Sequence, residues 1–267
     1  MRMRLSQSHL NQLALCPRRF QYLFLDQFSA PITPEQQENL AWGNQFHRLM
    51  QQYELGLPVF SPAGAEARSD PIQQCVQCFI QATPDLFRSQ PNHFRQSEHR
   101  RSLELQDYLL TVVYDLVILE EHQARILDWK TYAKPRSPQW LAADWQTRLY
   151  PFVLTETSSF QAEQISMTYW FVRATQPGKA APAPASAHFR YNSTLHERNR
   201  ADLTALLTQL TQWLDDYGNG KNLPQVHEAA GHCATCSFAR RCNRGQATAD
   251  NHAWEISRIE AIQEIAP

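Results

Sequence analysis

Two apolar runs rich in β-branched and aromatic residues, at 112–118 and 126–132, most constrain how this chain can fold. Their composition predicts two buried strands. The first run contains Asp115, and the second contains Asp128 and Lys130. Because side chains alternate along a strand, Asp128 and Lys130 point from the same face, and a hairpin would place Asp115 beside them. Two carboxylates and one ammonium group on a rigid sheet suit a divalent cation and a water molecule that attacks a phosphodiester.

Helical periodicity dominates the sequence on both sides of these strands. The predicted helices cover 7–27 with a break at Pro17, 35–55, 71–87, 138–157 and 193–217, and the further strand segments cover 103–105, 108–114, 165–172 and 188–191. This order predicts an α/β fold, with a mixed central β-sheet flanked by helices and wrapped by the N-terminal ones. A stretch rich in proline and alanine, at 174–187, predicts a long exposed hairpin loop.

The length of 267 residues suits one large domain. Within a single domain over 1–267, we expect an N-terminal helical part at 1–95, a sheet core at 96–192, and a helix with a cysteine-bearing module at 193–250.

The bulk charge leaves the type of partner open. The net charge is −1 and the sequence pI is about 6.8, which neither supports nor excludes a local basic groove for nucleic acid. The N-terminus is not followed by an apolar signal core, and no apolar run approaches the ~18 residues that a membrane helix needs. We therefore expect a cytoplasmic protein, and in that compartment six cysteines indicate metal binding rather than disulfides.

The six cysteines fall into three groups: Cys16, Cys75 with Cys78, and Cys233 with Cys236 and Cys242. Three thiols within ten residues at the C-terminal end favour a shared metal over core packing. Either the middle pair joins Cys233 and Cys236 in a zinc site, which leaves Cys242 unused, or Cys16 joins the C-terminal three around an iron–sulfur cluster. In the second case the middle pair would be buried thiols on an amphipathic helix. The residues alone leave both alternatives open.

An ordered series of motifs runs along most of the chain. The series is Cys16-Pro17-Arg18-Arg19-Phe20, Gly43-Asn44-Gln45-Phe46-His47, Asp115, Asp128-Trp129-Lys130-Thr131, Gln146-Thr147-Arg148-Leu149-Tyr150, and then Cys233, Cys236 and Cys242. It resembles the RecB-type branch of the PD-(D/E)XK nuclease superfamily that carries an iron–sulfur cluster, which includes AddB-type and CRISPR-associated RecB-like exonucleases. The resemblance implies a restriction-endonuclease-like core, with the C-terminal cysteine segment closing on the N-terminal helices.

The resemblance also implies a role for each matching residue. The implied catalytic residues are His47, Asp115, Asp128, Lys130, Gln146 and Tyr150. Mg²⁺ or Mn²⁺ would be held by the histidine, the two aspartates and the carbonyl of Trp129. The lysine would orient the attacking water, and the glutamine and tyrosine, four apart on one helix face, would support the site and contact substrate. Glu98 corresponds to a further strand acid of relatives, whereas Val113 stands where many relatives have glycine.

A second set of implied residues concerns the cluster and the DNA. The implied ligands of a [4Fe–4S] cluster are Cys16, Cys233, Cys236 and Cys242. This cluster would have a structural role, because it would hold the C-terminal segment to the N-terminal helix. Taken from the residues and not from the resemblance, Arg18, Arg19 and Arg48, with Arg100 and Arg101, could line a phosphate groove or equally form a solvated surface. Tyr150 is a further candidate for contact with DNA.

The expected activity is that of a Mg²⁺- or Mn²⁺-dependent DNA exonuclease. It would act on single-stranded DNA or DNA ends, in repair, recombination or CRISPR-type DNA processing. The sequence has no phosphate-binding loop of a helicase motor, so a helicase or another repair or CRISPR protein would be a separate partner. The alternative is a catalytically inactive subunit that binds DNA ends within a larger complex. The intact Asp128 and Lys130 favour the enzyme, since an inactive site need not keep these charges.

Overall fold

The computed structural model describes residues 2–29, 32–60, 70–88, 93–132, 136–173 and 184–244. Its strands are β1 (Met3–Leu5), β2 (Phe94–Leu105), β3 (Tyr108–Leu119), β4 (Ala124–Lys130), β5 (Ile165–Phe171) and β6 (Ala185–Arg190). Its α-helices are α1 (Gln7–Leu15), α2 (Pro17–Phe20), α3 (Pro34–Glu54), α4 (Pro71–Ala82), α5 (Pro84–Phe87), α6 (Pro138–Ala143), α7 (Trp145–Glu156) and α8 (Ser193–Gly218). None of the helices in these ranges has the length and apolar character needed to cross a membrane.

The described residues divide into two compact units. The first unit takes in the chain up to Gln36, Glu104–Thr111, and the chain from Arg198 onward. The second takes in Gln37–Leu103 and Val112–Glu197. Strand β3 therefore begins in the first unit and ends in the second.

A mixed sheet forms the centre of the second unit. β3 pairs antiparallel with β4, where Leu116 lies opposite Leu127, and β4 pairs in parallel with β5, where Asp128 lies opposite Tyr169. Helices α6 and α7 make the crossover that a parallel pair requires. β5 pairs antiparallel with β6, and β2 pairs with β3. The predicted fold class, an α/β protein with a mixed sheet flanked by helices, is confirmed.

Helices α3 and α4 pack apolar side chains against β3 and β4. Phe79 of α4 is fully buried, and its ring centre lies 5.3 Å from that of Trp129 and 6.4 Å from that of Phe46. Burial of a side chain of this size contributes about 1.5–3 kcal/mol, so this contact anchors α3. The same cluster includes Leu49, Met50, Val59, Val76, Leu86, Leu116, Ile118, Leu127 and Val172. It fixes the helix that carries His47.

The first unit begins with β1, which pairs in parallel with the start of β3, where Met3 lies opposite Tyr108. Helix α1 ends before Cys16, and Pro17 begins α2. The break is expected, because proline lacks the backbone N–H that a continuous helix would use and is favoured at the first helical position. A π-helical turn, Gln21–Leu25, follows α2.

Hydrogen bonds hold the segment after α8 against α2 and the turn that follows it. The backbone N–H of Arg18 donates to the carbonyl of Pro224 at 2.9 Å, and its Nε donates to the carbonyl of Leu223 at 2.7 Å. The Gln21 side chain accepts from the N–H of Leu223 at 2.8 Å and donates to Oδ1 of Asn222 at 2.6 Å. These bonds place the C-terminal segment of the first unit beside its N-terminal helices.

Two predicted helices are split in the structure. The helix expected at 71–87 breaks at Thr83, because Pro84 begins a new helix. The helix expected at 138–157 breaks at Asp144, whose side chain caps α7.

The predicted strands differ from the observed ones in their bounds. β2 begins at Phe94 and not at 103, and β4 covers Ala124–Lys130 and not 126–132. β1 has no counterpart in the prediction, because three residues are too few to show a strand period. The strand expected at 188–191 begins earlier, at Ala185. The hairpin loop expected at 174–187 lies outside the described residues except for its last few positions, which lead into and begin β6.

Candidate active site

The second unit brings Asp115 and Asp128 together on neighbouring strands. The two residues lie immediately beyond the paired Leu116 and Leu127, and each is only 3% exposed. The backbone N–H of Trp129 donates to Oδ2 of Asp115 at 2.6 Å, so this carboxylate takes the place of a strand acceptor. The antiparallel pairing therefore gives both acids fixed positions in a buried environment.

A histidine and a third carboxylate meet Asp115. His47 of α3 places its Nδ1 3.4 Å from Oδ1 of Asp115, and Glu98 of β2 joins the pair. One ligand atom from each of these three residues lies within 4.8 Å of the other two. Carboxylate oxygens suit Mg²⁺ and Mn²⁺, and an imidazole nitrogen can complete such a set, so this group could hold a metal ion.

Glu98 has an unusual backbone conformation for a strand residue. Its φ is +49°, in the left-handed region that residues other than glycine rarely adopt. Burial raises the pKa of Glu98 to about 7, and the negative charge of Asp115 adds to the rise, while His47 opposes it. A carboxyl group held among acidic neighbours favours its protonated form, and a bound cation would reverse that preference.

Asp128 forms a closed triangle of contacts with Lys130 and Gln146. Nζ of Lys130 lies 2.8 Å from Oδ1 of Asp128 and donates to Oε1 of Gln146 at 2.8 Å. Nε2 of Gln146 donates to Oδ2 of Asp128 at 2.5 Å. Burial raises the pKa of Asp128, with Lys130 opposing the rise and Asp115 adding to it. Burial alone would lower the pKa of Lys130, but the charge and hydrogen bond of Asp128, together with the charges of Tyr132 and Asp115, raise it, so the lysine is a cation.

Tyr169 supports this triangle from the neighbouring strand β5. Its side chain is 1% exposed, and Nζ of Lys130 lies 5.1 Å from the centre of its ring, within the range of a cation–π contact. Its hydroxyl lies 2.7 Å from Oγ1 of Thr147, which donates to the carbonyl of Leu141. The sequence does not identify Tyr169 as a site residue, because nothing in it shows that β5 pairs with β4.

Helix α7 carries Gln146 in its first turn. The side chain of Asp144 caps the helix by accepting a hydrogen bond from the N–H of Gln146 at 2.8 Å. Tyr150, one turn later, is 1% exposed, and its ring centre lies 5.3 Å from that of Tyr114. The Tyr114 hydroxyl donates to the carbonyl of Tyr150 at 3.0 Å. We call Glu98, Asp115 and Asp128 the acidic cluster. Of the two α7 residues predicted from the sequence, Gln146 bonds to this cluster through Asp128, whereas Tyr150 packs on Tyr114.

The first unit brings four of the cysteines to one cavity. The four residues are Cys16, Cys233, Cys236 and Cys242. The cavity has a volume of about 410 Å³, including space open to solvent. Within the part of the chain that the structure describes, no three of these four sulfurs lie within 4.8 Å of one another. We call this space the cysteine cavity.

Cys75 and Cys78 belong to the second unit. Cys75 packs against the core cluster, with its sulfur 3.8 Å from the carbonyl oxygen of Val172. Cys78 is exposed, so the expectation that both thiols are buried is wrong for this residue. Cys78 lies about 200° around α4 from the buried Val76, which turns it away from the core.

The three arginines expected to contact DNA have different surroundings. Arg48 follows His47 on α3 and is exposed. Arg18 donates to the carbonyl of Leu223, and Arg19 lines the cysteine cavity. Of the three, Arg48 belongs to the unit that contains the acidic cluster.

Comparison with known proteins assigns the class to which the chain belongs, the nucleases. The sequence profile of the PD-(D/E)XK nuclease superfamily matches residues 4–243, so the chain belongs to this superfamily. A solved structure described as a "Putative exonuclease" from Eubacterium rectale is similar, with a TM-score of 0.53 and 12% identity. The match covers 90% of this chain and 88% of that chain, and at this identity it shows the fold alone. No curated protein sequence matches the chain.

The superfamily indicated by the sequence motifs is thus confirmed. The assignment to the RecB-type branch and the iron–sulfur cluster remain predictions.

Proposed function

We propose that this protein is a metal-dependent DNA nuclease whose active site is the acidic cluster of the second unit. One observation carries the proposal: Asp115 and Asp128 are buried side by side, and Lys130 is paired with Asp128. Together with the partly buried Glu98, these acids can carry more negative charge than one ammonium group offsets. Buried charge of one sign is costly, so a divalent cation is the expected occupant.

Mg²⁺ or Mn²⁺ would be held by His47, Glu98 and Asp115, whose ligand atoms already lie within 4.8 Å of one another. Asp128 and the carbonyl of Trp129 complete the proposed ligand set. Such a cation, when bound, lowers the pKa of a water molecule and offsets the negative charge of the phosphate.

The protein's own contribution is to hold the ammonium group of Lys130 and the carboxylate of Asp128 at fixed positions beside the phosphate. Because its pKa is raised, Lys130 is protonated and acts by orienting water and stabilising negative charge, not by accepting a proton. Gln146 holds Lys130 and Asp128 in position by bonding to both. The Tyr169 ring restricts the lysine from the other side.

Cleavage of labelled DNA in the presence of Mg²⁺ or Mn²⁺ tests the proposal. Asp128→Asn and Lys130→Met should each reduce cleavage to the level seen without metal. The exposed Asp85 and Lys221, with side chains 86% and 71% exposed, offer matched controls, and Asp85→Asn and Lys221→Met should leave cleavage unchanged. A pure protein that is inert on all DNA ends, or one that the first two variants leave fully active, would contradict the proposal.

For the substrate, we propose single-stranded DNA or DNA ends, degraded from the end, in repair, recombination or CRISPR-type processing. The motif series that resembles RecB-type exonucleases supports this choice. A helicase or another repair or CRISPR protein would supply strand separation. End-labelled linear DNA should release short labelled products, whereas circular single-stranded DNA should stay intact. Cleavage of the circle would make the enzyme an endonuclease, and binding of ends without cleavage would favour the inactive-subunit alternative.

We also propose that Cys16, Cys233, Cys236 and Cys242 hold a [4Fe–4S] cluster. Their shared cavity supports this proposal. The role of the cluster would be structural, because it would join α2 to the segment that follows α8.

Anaerobic purification followed by iron and sulfide assays tests the cluster. A bound cluster gives a brown protein that absorbs broadly near ~400 nm, whereas zinc gives a colourless one. Cys242→Ser should lose iron, and Cys78→Ser, which changes an exposed thiol of the other unit, should keep it. Equal iron content in these two variants would rule out the proposed ligand set.

A further inference from the structure

Arg19 differs from the other arginines near the cysteine cavity. Arg244 donates to Gln225 at 2.9 Å and to Glu228 at 2.6 Å, and Arg18 donates to a backbone carbonyl. By contrast, Nε of Arg19 is buried and has no hydrogen-bond partner among the described residues. Arg19 is also one of the residues that line the cavity.

A buried donor without an acceptor is unfavourable, and leaving one unsatisfied costs about 1–3 kcal/mol, more when the group is charged. The cavity offers sulfur as the acceptor, because four cysteines line it. Cysteines bind metals as thiolates, and thiolates together with bridging sulfides leave an iron–sulfur cluster net negative. A guanidinium in the wall would therefore meet both needs, as a hydrogen-bond donor and as a positive charge.

We propose that Arg19 donates its Nε–H to a sulfur of the metal group in the cysteine cavity and offsets the negative charge of that group. The inference rests on the proposed iron–sulfur cluster and goes beyond it by giving Arg19 a defined task. This role differs from the DNA contact expected for Arg19 from the sequence.

The expected consequence is a change in the reduction potential of the cluster. Hydrogen bonds to sulfur and nearby positive charge both stabilise the reduced, more negative state. Loss of Arg19 should therefore make reduction by dithionite less favourable. We expect about a tenfold change in the equilibrium constant for reduction, which is about 59 mV toward negative potential for one electron.

The test uses the full chain, purified anaerobically, as wild type and as Arg19→Gln, Arg19→Lys and Arg240→Gln. Arg240 is exposed in the same unit and serves as the control. The potential is measured by dithionite titration followed near ~400 nm, with iron and sulfide determined on each sample. Arg19→Gln should shift the potential downward and Arg19→Lys, which keeps the charge, should lie between it and wild type. Arg240→Gln should match wild type.

Each other outcome decides against the inference. Arg19→Gln with full iron content and an unchanged potential would overturn it, and so would a loss of DNA affinity without any change in potential. If Arg19→Gln fails to retain iron, Arg19→Lys must retain it and show the intermediate potential. A wild-type protein without iron or sulfide would remove the cluster itself, and DNA cleavage by the same sample would show that the nuclease proposal stands separately.

Discussion

The backbone N–H of Trp129 and the carboxylate of Asp115 are joined by a hydrogen bond of 2.6 Å between adjacent strands. Because this N–H is buried, it requires an acceptor, and the Asp115 side chain supplies one just beyond the paired Leu116 and Leu127. One carboxylate oxygen is therefore fixed by the sheet, and the other lies toward His47. The strand itself orients the proposed metal ligand.

This arrangement predicts that Asp115→Asn and Asp115→Ala differ in stability but not in activity. Both variants should lose metal-dependent cleavage, because neither keeps the negative charge. Asparagine retains an oxygen that can accept from Trp129 and relieves repulsion with Asp128, so its free energy of unfolding should be no lower than that of wild type. Alanine leaves the N–H unsatisfied and should cost about 1–3 kcal/mol more. Urea unfolding of the metal-free proteins measures the difference, and equal stability of the two variants would contradict this account.

Gln146 is expected to matter through the two groups it joins. Gln146→Leu removes the acceptor of Lys130 and the donor to Asp128 while leaving those two residues in contact. Loss of a group that orients a metal ligand typically costs about 10–100-fold in activity or metal affinity, and we expect a loss in that range. Steady-state cleavage rates and a Mn²⁺ titration would measure it.

A matched control for this variant is Gln139→Leu, which changes an exposed glutamine of α6 in the same unit. It should cleave DNA at the wild-type rate. A similar loss in both variants would show that the effect comes from changes in the helical region and not from the contacts of Gln146.

The sequence predicted where the strands lie better than it predicted which strands pair. The composition of the runs at 112–118 and 126–132 is a local signal, and it placed Asp115, Asp128 and Lys130 correctly on adjacent strands. The contact of Tyr169 with Lys130 depends on the parallel pairing of β5 with β4. This pairing is made through the crossover of α6 and α7, so no short segment of the sequence predicts it.

Glu98 and Cys78 also show that the sequence does not predict the direction of a side chain. Glu98 reaches His47 and Asp115 from a strand whose backbone has a positive φ, a departure that alternation cannot forecast. Cys78 resembled a core residue by type, but its position around α4 faces solvent. In both cases the sequence shows the type of residue, but the backbone conformation sets the direction of its side chain.

The raised pKa of Glu98 predicts how the stability of the metal-free protein depends on pH. The folded protein holds a proton with a pKa of about 7, while the ordinary value of this group is 4.5. Between these values the folded state binds more protons than the unfolded chain, so the free energy of unfolding should fall as the pH rises from about 5 to 7. Glu98→Gln cannot lose a proton and should show a shallower fall, which urea unfolding in EDTA at several pH values would measure.

Addition of Mg²⁺ or Mn²⁺ should reverse this dependence. A cation binds the ionised carboxylates, so its stabilising effect should grow as the pH rises. The increase in unfolding temperature on adding Mn²⁺ should therefore be larger at pH 8 than at pH 6 in wild type. An increase of the same size at both pH values would argue against ligation by Glu98.

Tyr169 provides the last prediction, because its ring and its hydroxyl have separate contacts. Tyr169→Phe keeps the ring that lies 5.1 Å from Nζ of Lys130 but loses the bond to Thr147. It should cost about 0.5–1.5 kcal/mol of stability and leave kcat close to wild type. Tyr169→Leu also removes the cation–π contact, worth about 0.5–2 kcal/mol, so Lys130 is less restricted and kcat should fall while KM changes little.

Tyr217→Phe, which removes a hydroxyl bond to Asp26 in the first unit, is the matched control for the lost hydroxyl. If Tyr169→Phe and Tyr169→Leu have the same kcat, the ring does not position Lys130.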